Sequence, residues 1–141
     1  RPKGIIIPTA RDLTQIIDPR HVPHLNLITD ASGAQIVLTS TWRVGLMVAD
    51  IRGALRAAGV TGQVVGATPY IPRTVREVRH LEIQAWMRDH RRSGAPFAIL
   101  DDMEDMGDLT PWLVRTERGV GLQEAHVGLV LRMLGEGPKD L

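Results

Sequence analysis

The segment Ile99-Leu100-Asp101-Asp102-Met103-Glu104-Asp105 places a cluster of carboxylates directly after a hydrophobic run. Like charges this close repel unless a cation neutralises them, and an all-oxygen donor set suits magnesium. Asp101, Asp102 and Asp105 are therefore candidate metal ligands. The plainer alternative is that one aspartate caps the next segment while the others are solvated. A second candidate is the run Ile36-Val37-Leu38-Thr39-Ser40-Thr41-Trp42-Arg43. Hydroxyls at a strand end can hydrogen-bond phosphoryl oxygens, and a guanidinium adds a bidentate charged contact. Thr39, Ser40, Thr41 and Arg43 are thus candidate phosphate-binding residues. The alternative is a strand-to-helix turn in which Ser40 or Thr41 caps the helix, Trp42 packs and Arg43 is a surface charge. Between the two runs lie Arg73, Arg76 and Arg79, then Arg88, Arg91 and Arg92. A basic group near an active face can neutralise a transferring phosphoryl group, whereas most arginines on an amphipathic helix are simply solvated. The 5 histidines show no metal-ligand spacing, and no glycine-rich phosphate loop is present.

For these residues to act together the chain must bring them to one edge. Asp18-Pro19 opens a helix, although Pro23 favours a regular start nearer Val22, and Gly33 supplies the left-handed C-terminal position. Residues 34–40 read as a buried strand, continuously apolar at the centre as a parallel sheet requires. Apolar residues at 44, 47, 48, 51, 55 and 58 form one helical face, closed by Gly59. Residues 63–66 are a short strand. Thr74-Val75-Arg76-Glu77 is a capping box that opens a helix running to Arg91, with Gly94 ending it. Residues 97–100 are another buried strand, 113–116 a last short one, and 123–134 a final helix before Gly135. Strands alternating with helices imply parallel βαβ units, whose ligands bind beyond the strand C-termini. Ser40 and the Asp101-Asp102 pair are both expected there.

The composition bounds the rest. A chain of 141 residues, 43% hydrophobic, is expected to form one globular domain with a real core. The net charge of +1 gives no general nucleic-acid patch and no pull toward a membrane. With no cysteine, disulfides and thiolate metal sites are excluded, and the expected compartment is the cytoplasm. No apolar run approaches the roughly 20 residues that span a bilayer. The stretch Arg1-Pro2-Lys3-Gly4-Ile5-Ile6-Ile7-Pro8 is too short to be a signal peptide. The chain starts with Arg rather than Met, as expected of a fragment or a processed product.

Taken in order, these segments resemble the haloacid-dehalogenase-like (HAD) domains of the "Swiss Army knife" RNA-repair group. The matching pieces are Thr39-Ser40-Thr41-Trp42-Arg43, Ala58-Gly59-Val60, Thr68-Pro69, the Arg79…Glu82-Ile83…Trp86 helix, Ile99-Leu100-Asp101-Asp102, Val114-Arg115-Thr116 and Gly121-Leu122. The resemblance spans residues 18–134. It implies an α/β, Rossmann-like three-layer sandwich with a mainly parallel sheet, and no cap domain, because no insertion separates the matched segments. In such domains an Asp after the first strand attacks phosphorus, and an Asp two residues later is the general acid–base. By the same resemblance Ser40 holds phosphoryl oxygens, Arg79 neutralises charge, and Asp101, Asp102 and Asp105 hold Mg2+.

Two departures stand out against that pattern. His80 replaces the glycine that follows the basic residue, which leaves Arg73 or Arg76 as substitutes for Arg79. No Asp-x-Asp-Gly occurs anywhere, and Asp12 stands alone among the residues before Asp18. Residues 1–17 therefore resemble the stretch that follows the first motif. The first strand is expected to be missing, leaving a gap at the sheet centre, and residues 1–141 to be a single, N-terminally incomplete HAD-like domain. The implied activity is Mg2+-dependent phosphate ester hydrolysis on a phosphorylated small molecule or a nucleic-acid end, with this chain itself inactive for want of the attacking carboxylate. Two rival expectations stand beside it. One is a noncatalytic HAD-like module that binds a phosphorylated ligand or a protein partner. The other is a generic doubly wound domain in which all these residues are structural.

Overall fold

The computed structural model describes residues 4–8, 20–38, 48–68, 79–90, 95–101, 107–116 and 122–135, with the side chains of Val48, Ala49 and Arg79 left out. Five strands form one sheet: β1 (Ile5–Pro8), β2 (Gln35–Leu38), β3 (Val64–Ala67), β4 (Phe97–Asp101) and β5 (Leu113–Arg115). Their order is β3-β2-β1-β4-β5, and every pairing is parallel. Among the described residues, four α-helices connect or follow them: α1 (Val22–Ser32), α2 (Val48–Ala57), α3 (Arg79–Asp89) and α4 (Glu124–Met133). A 3-10 helix, Gly107–Trp112, leads into β5.

The pleat sorts the strand residues between two cores. Ile6, Ile36, Leu38, Ala98, Leu100 and Val114 face one layer, where they meet Leu25 and Ile28 of α1, Ile51 and Leu55 of α2, and Val127 and Val130 of α4. Ile5, Ile7, Val37, Phe97 and Ile99 face the other, against Ile83, Trp86 and Met87 of α3 and Leu109 of the 3-10 helix. The result is the helix–sheet–helix sandwich expected from the alternation of elements. It follows from the right-handed crossover rule: β1-α1-β2-α2-β3 winds in one direction, and the step through α3 to β4 reverses it.

One expectation is corrected. The first strand is not missing, and the sheet centre has no gap. Ile5 pairs with Gln35 on one side and Phe97 on the other, and Pro8 stands opposite Leu100. Ile5, Ile6 and Ile7 are each 0% exposed. The sequence conceals this strand because it is short and flanked by prolines, and proline argues against a central strand. Here Pro8 is the last residue, where its missing N–H interrupts no further ladder.

Local signals fix the other boundaries. Gly33 adopts φ 72 after α1, and its N–H donates to Thr29 O at 2.8 Å, the left-handed helix stop expected from the sequence. The Ser32 hydroxyl donates to Ile28 O at 2.6 Å and accepts from Ala34 N at 3.0 Å, which ties the helix end to the entry of β2. Asn26 holds the other turn of this layer: its Nδ2 donates to Gly59 O and its Oδ1 accepts from Thr61 N, both at 2.9 Å. At α4, Gln123 N donates to His126 Nδ1 at 2.9 Å. The capping box read at Thr74 and Glu77 and the helical residues 44–47 lie outside the described residues. The 3-10 helix was not foreseen.

Candidate functional site

In an all-parallel sheet every strand ends at the same edge, so the order of strands decides which C-termini are neighbours. Here Leu38 of β2 and Asp101 of β4 end on either side of β1, which ends at Pro8. Adjacent strands lie about 4.8 Å apart, so the chain leaving Leu38 and the chain leaving Leu100-Asp101 start roughly 10 Å from each other. Helix α3 begins at this edge too, because it returns the chain from the end of β3 to the start of β4.

Asp101 is 1% exposed. The pleat puts it on the α3 side of the sheet, with Phe97 and Ile99. Burying a carboxylate is costly unless hydrogen bonds or a cation compensate it, and Asp101 has polar or electrostatic partners. Its carbonyl accepts from Thr116 N at 2.8 Å, extending the β4–β5 ladder by one residue. On the opposite flank, Thr68 N donates to Leu38 O at 2.8 Å. Thr68 and Thr116 are themselves buried, as is Glu82 in the first turn of α3. The buried polar set of the described residues therefore gathers, apart from Thr29, on the strand ends and the helix start of this one edge.

The residues proposed from the sequence divide as follows. Asp101 sits at the edge in question, and Arg79 is the first residue of α3, its side chain outside the described set. Thr39, Ser40, Thr41, Arg43, Asp102 and Asp105 lie outside the described residues, as do the substitutes Arg73 and Arg76. Among the described residues there is no group of three or more His, Cys, Asp or Glu that could hold a metal ion. Glu82, Thr68 and Thr116 had not been singled out as site residues. The available signal was a charged residue at 82 on the face that also carries Ile83 and Trp86, where solvation would not be expected.

Two cavities lie away from this edge. One, of about 480 Å³, is lined by Arg52, Arg56, Thr61 and Gln63 near the start of β3. The other, of about 420 Å³, lies between α3 and the 3-10 helix and is lined by Met87, Arg88, Phe97 and Trp112. Asp101 lines neither of these two cavities. No described helix is long and apolar enough to cross a membrane.

Among known families, a model described as the HAD domain in Swiss Army Knife RNA repair proteins matches residues 4–127. The matched stretch begins just before β1 and ends within α4. No curated protein and no solved structure matches the chain.

Proposed function

Because the chain belongs to the HAD domains of Swiss Army Knife RNA repair proteins, we propose that its strand-end edge binds a phosphorylated ligand together with Mg2+, and that this chain binds without hydrolysing. The observation that carries the second half is the identity of the central strand. In a HAD domain the attacking aspartate follows the first strand, and here that strand ends at Pro8, followed in sequence by Thr9-Ala10-Arg11 in place of Asp-x-Asp. Pyrrolidine, hydroxyl and methyl offer no carboxylate to attack phosphorus, and an unactivated threonine is a poor substitute.

The binding half rests on the acids and hydroxyls the chain retains. Asp101, buried at the end of β4 and supplying hard oxygen donors, fits a magnesium ligand. Asp102 and Asp105 complete the proposed carboxylate set, and Mg2+ held there would offset the charge of a phosphoryl group. Ser40, with Thr39, Thr41 and Arg43, would hold the phosphoryl oxygens by hydroxyl donation and a bidentate guanidinium contact. Arg79, at the start of α3, would add positive charge from the facing layer. Positioning and charge neutralisation are what phosphoryl chemistry asks of a protein, and they serve binding as well as transfer. The ligand class is a phosphorylated nucleotide or the phosphorylated end of a polynucleotide, a reading supported by the RNA-repair description of the family.

The second reading, hydrolysis, is favoured by the same family membership and is separated by one experiment. The purified chain is incubated with Mg2+ and either para-nitrophenyl phosphate or a 5′-phosphorylated oligonucleotide, and phosphate release and ligand affinity are measured in parallel. Binding with no release above buffer supports the proposal. Turnover that vanishes in Asp101→Asn replaces it with a phosphohydrolase, and absence of both Mg2+ and phosphate binding removes both readings.

A further inference from the structure

We propose that the cleft between α2 and the outer side of β3 is a ligand site in its own right, which takes a small phosphate monoester through Arg52 and Arg56. It is independent of the strand-end edge: the cleft lies by the start of β3, and the residues that line it belong to α2, to the turn that follows and to β3. Arg52 and Arg56 stand four residues apart on α2, so they project from one face of the helix, and both line the cleft. Its volume of about 480 Å³ falls within the roughly 300–1,000 Å³ of small-molecule sites. Among the described residues no carboxylate lines it.

Two like charges at this spacing repel. Among the described residues neither guanidinium has an ion-pair partner, whereas Arg88 has Asp89 at 3.6 Å. The dipole of α2 favours a cation in its last turn, which accounts for Arg56 but not for Arg52 one turn earlier. Arg52 is also oriented. Its Nε donates to Val64 O at 3.1 Å, on the outer side of the end strand, which leaves the two terminal nitrogens of the fork for a ligand. The polar wall is held in the same way. Gln63 Oε1 accepts from Gln35 Nε2 at 3.3 Å, leaving Gln63 Nε2 as a donor, and the Thr61 hydroxyl donates to Asp30 Oδ1 at 3.2 Å. Asp30 itself does not line the cleft. Two guanidinium groups and an amide donor suit a phosphate monoester better than a carboxylate, because the monoester carries about −1.5 to −2 charge at neutral pH and three acceptor oxygens. Leu55, Val60 and Val65 supply the apolar lining against which the organic part of the ester rests.

The test is an NMR titration of the intact chain in EDTA, so that no Mg2+-dependent site contributes, with inorganic phosphate and phenyl phosphate as probes at constant ionic strength. A thermal melt accompanies every variant. The expected result is a saturable shift at the Arg52 Nε–H, the Gln63 side-chain amide and the backbone of residues 61–65, with a dissociation constant on the order of 1 mM for phosphate. Phenyl phosphate should bind severalfold tighter, because its ring covers the apolar lining. Arg56→Ala should melt close to wild type and weaken both probes by about tenfold. Arg56→Lys, which keeps the charge and loses the fork, should fall between the two. Arg52→Ala should weaken both probes as well, and if it lowers the melt by releasing Val64 O, the two Arg56 variants carry the comparison. Arg88→Ala, at an exposed guanidinium of α3, is the control and should leave the titration unchanged. Wild-type affinity in Arg56→Ala, or no saturable shift in the wild-type chain, overturns the site. Equal affinity for the two probes overturns its assignment to an ester. Phosphate binding that requires Mg2+ and persists in Arg52→Ala/Arg56→Ala belongs to the strand-end edge, and it refutes this cleft while leaving the other reading in place.

Discussion

Ile6→Ala tests whether the central strand is what holds this fold together. Ile6 is 0% exposed and lies in the core with Leu25, Ile28, Leu100 and Val130, flanked in the sheet by Ile36 and Ala98. The substitution deletes three carbons, which at about 0.8 kcal/mol per buried CH2 forfeits roughly 2.4 kcal/mol of transfer energy. A site walled by two strands and two helices collapses poorly, so the cavity left behind raises the expected cost to about 3–4 kcal/mol. For a domain of this size, about 3 kcal/mol corresponds to a fall in Tm of roughly 10 °C. Urea denaturation followed by far-ultraviolet circular dichroism gives the free energy, and a thermal melt gives Tm. Leu27→Ala, at a position 55% exposed on α1, serves as the control and should stay within about 0.5 kcal/mol of wild type. If Ile6→Ala unfolds together with that control, Ile5–Pro8 does not form the central strand, and the argument that Pro8-Thr9-Ala10 occupies the place of the nucleophile fails.

Further expectations follow from other contacts. Asp101→Asn should abolish the rise in Tm that Mg2+ produces in the wild-type chain, as read by thermal shift with and without the cation. Gly62→Ala should cost about 1–3 kcal/mol in urea, because its methyl would stand 2.7 Å from Thr29 Cγ2 and 3.0 Å from Ile36 Cδ1. Gly53→Ala, inside α2 with nothing within 4 Å, should instead stabilise by about 0.5–1 kcal/mol in the same assay. Asn26→Leu removes both bonds to the Gly59–Thr61 turn and should destabilise by about 1–2 kcal/mol, with faster amide exchange at Thr61 as the local signature.

The parts of this architecture that announce themselves in sequence are those with strong local causes. The run 36–38 is apolar on both faces because it is covered on both, and Gly33 ahead of the strand has a positive φ that other residues resist. The strand at 97–101 is legible for the same reason, and its terminal aspartate marks the edge where ligands of parallel sheets bind. β1 escaped because four residues ending in proline carry no periodicity, and only its two neighbours reveal it as central. The 3-10 helix escaped because Pro111 lies inside it and i→i+3 bonding leaves no amphipathic pattern. Glu82 shows why a site is harder to read than a fold. On a helical wheel it is one more acid, and only the packing of α3 against the sheet makes it a buried one.

The position of β1 also has a consequence for how the molecule is made. Its two ladders join it to β2, synthesised soon afterwards, and to β4, synthesised much later. Until Phe97-Ala98-Ile99-Leu100 has left the ribosome, the three isoleucines of β1 keep one open edge, an aggregation-prone state of the kind that slow, non-local pairing creates. Closure of the β1 edge therefore waits on β4, the same strand that delivers Asp101, so a chain that has acquired this strand end has also covered its three isoleucines on both sides.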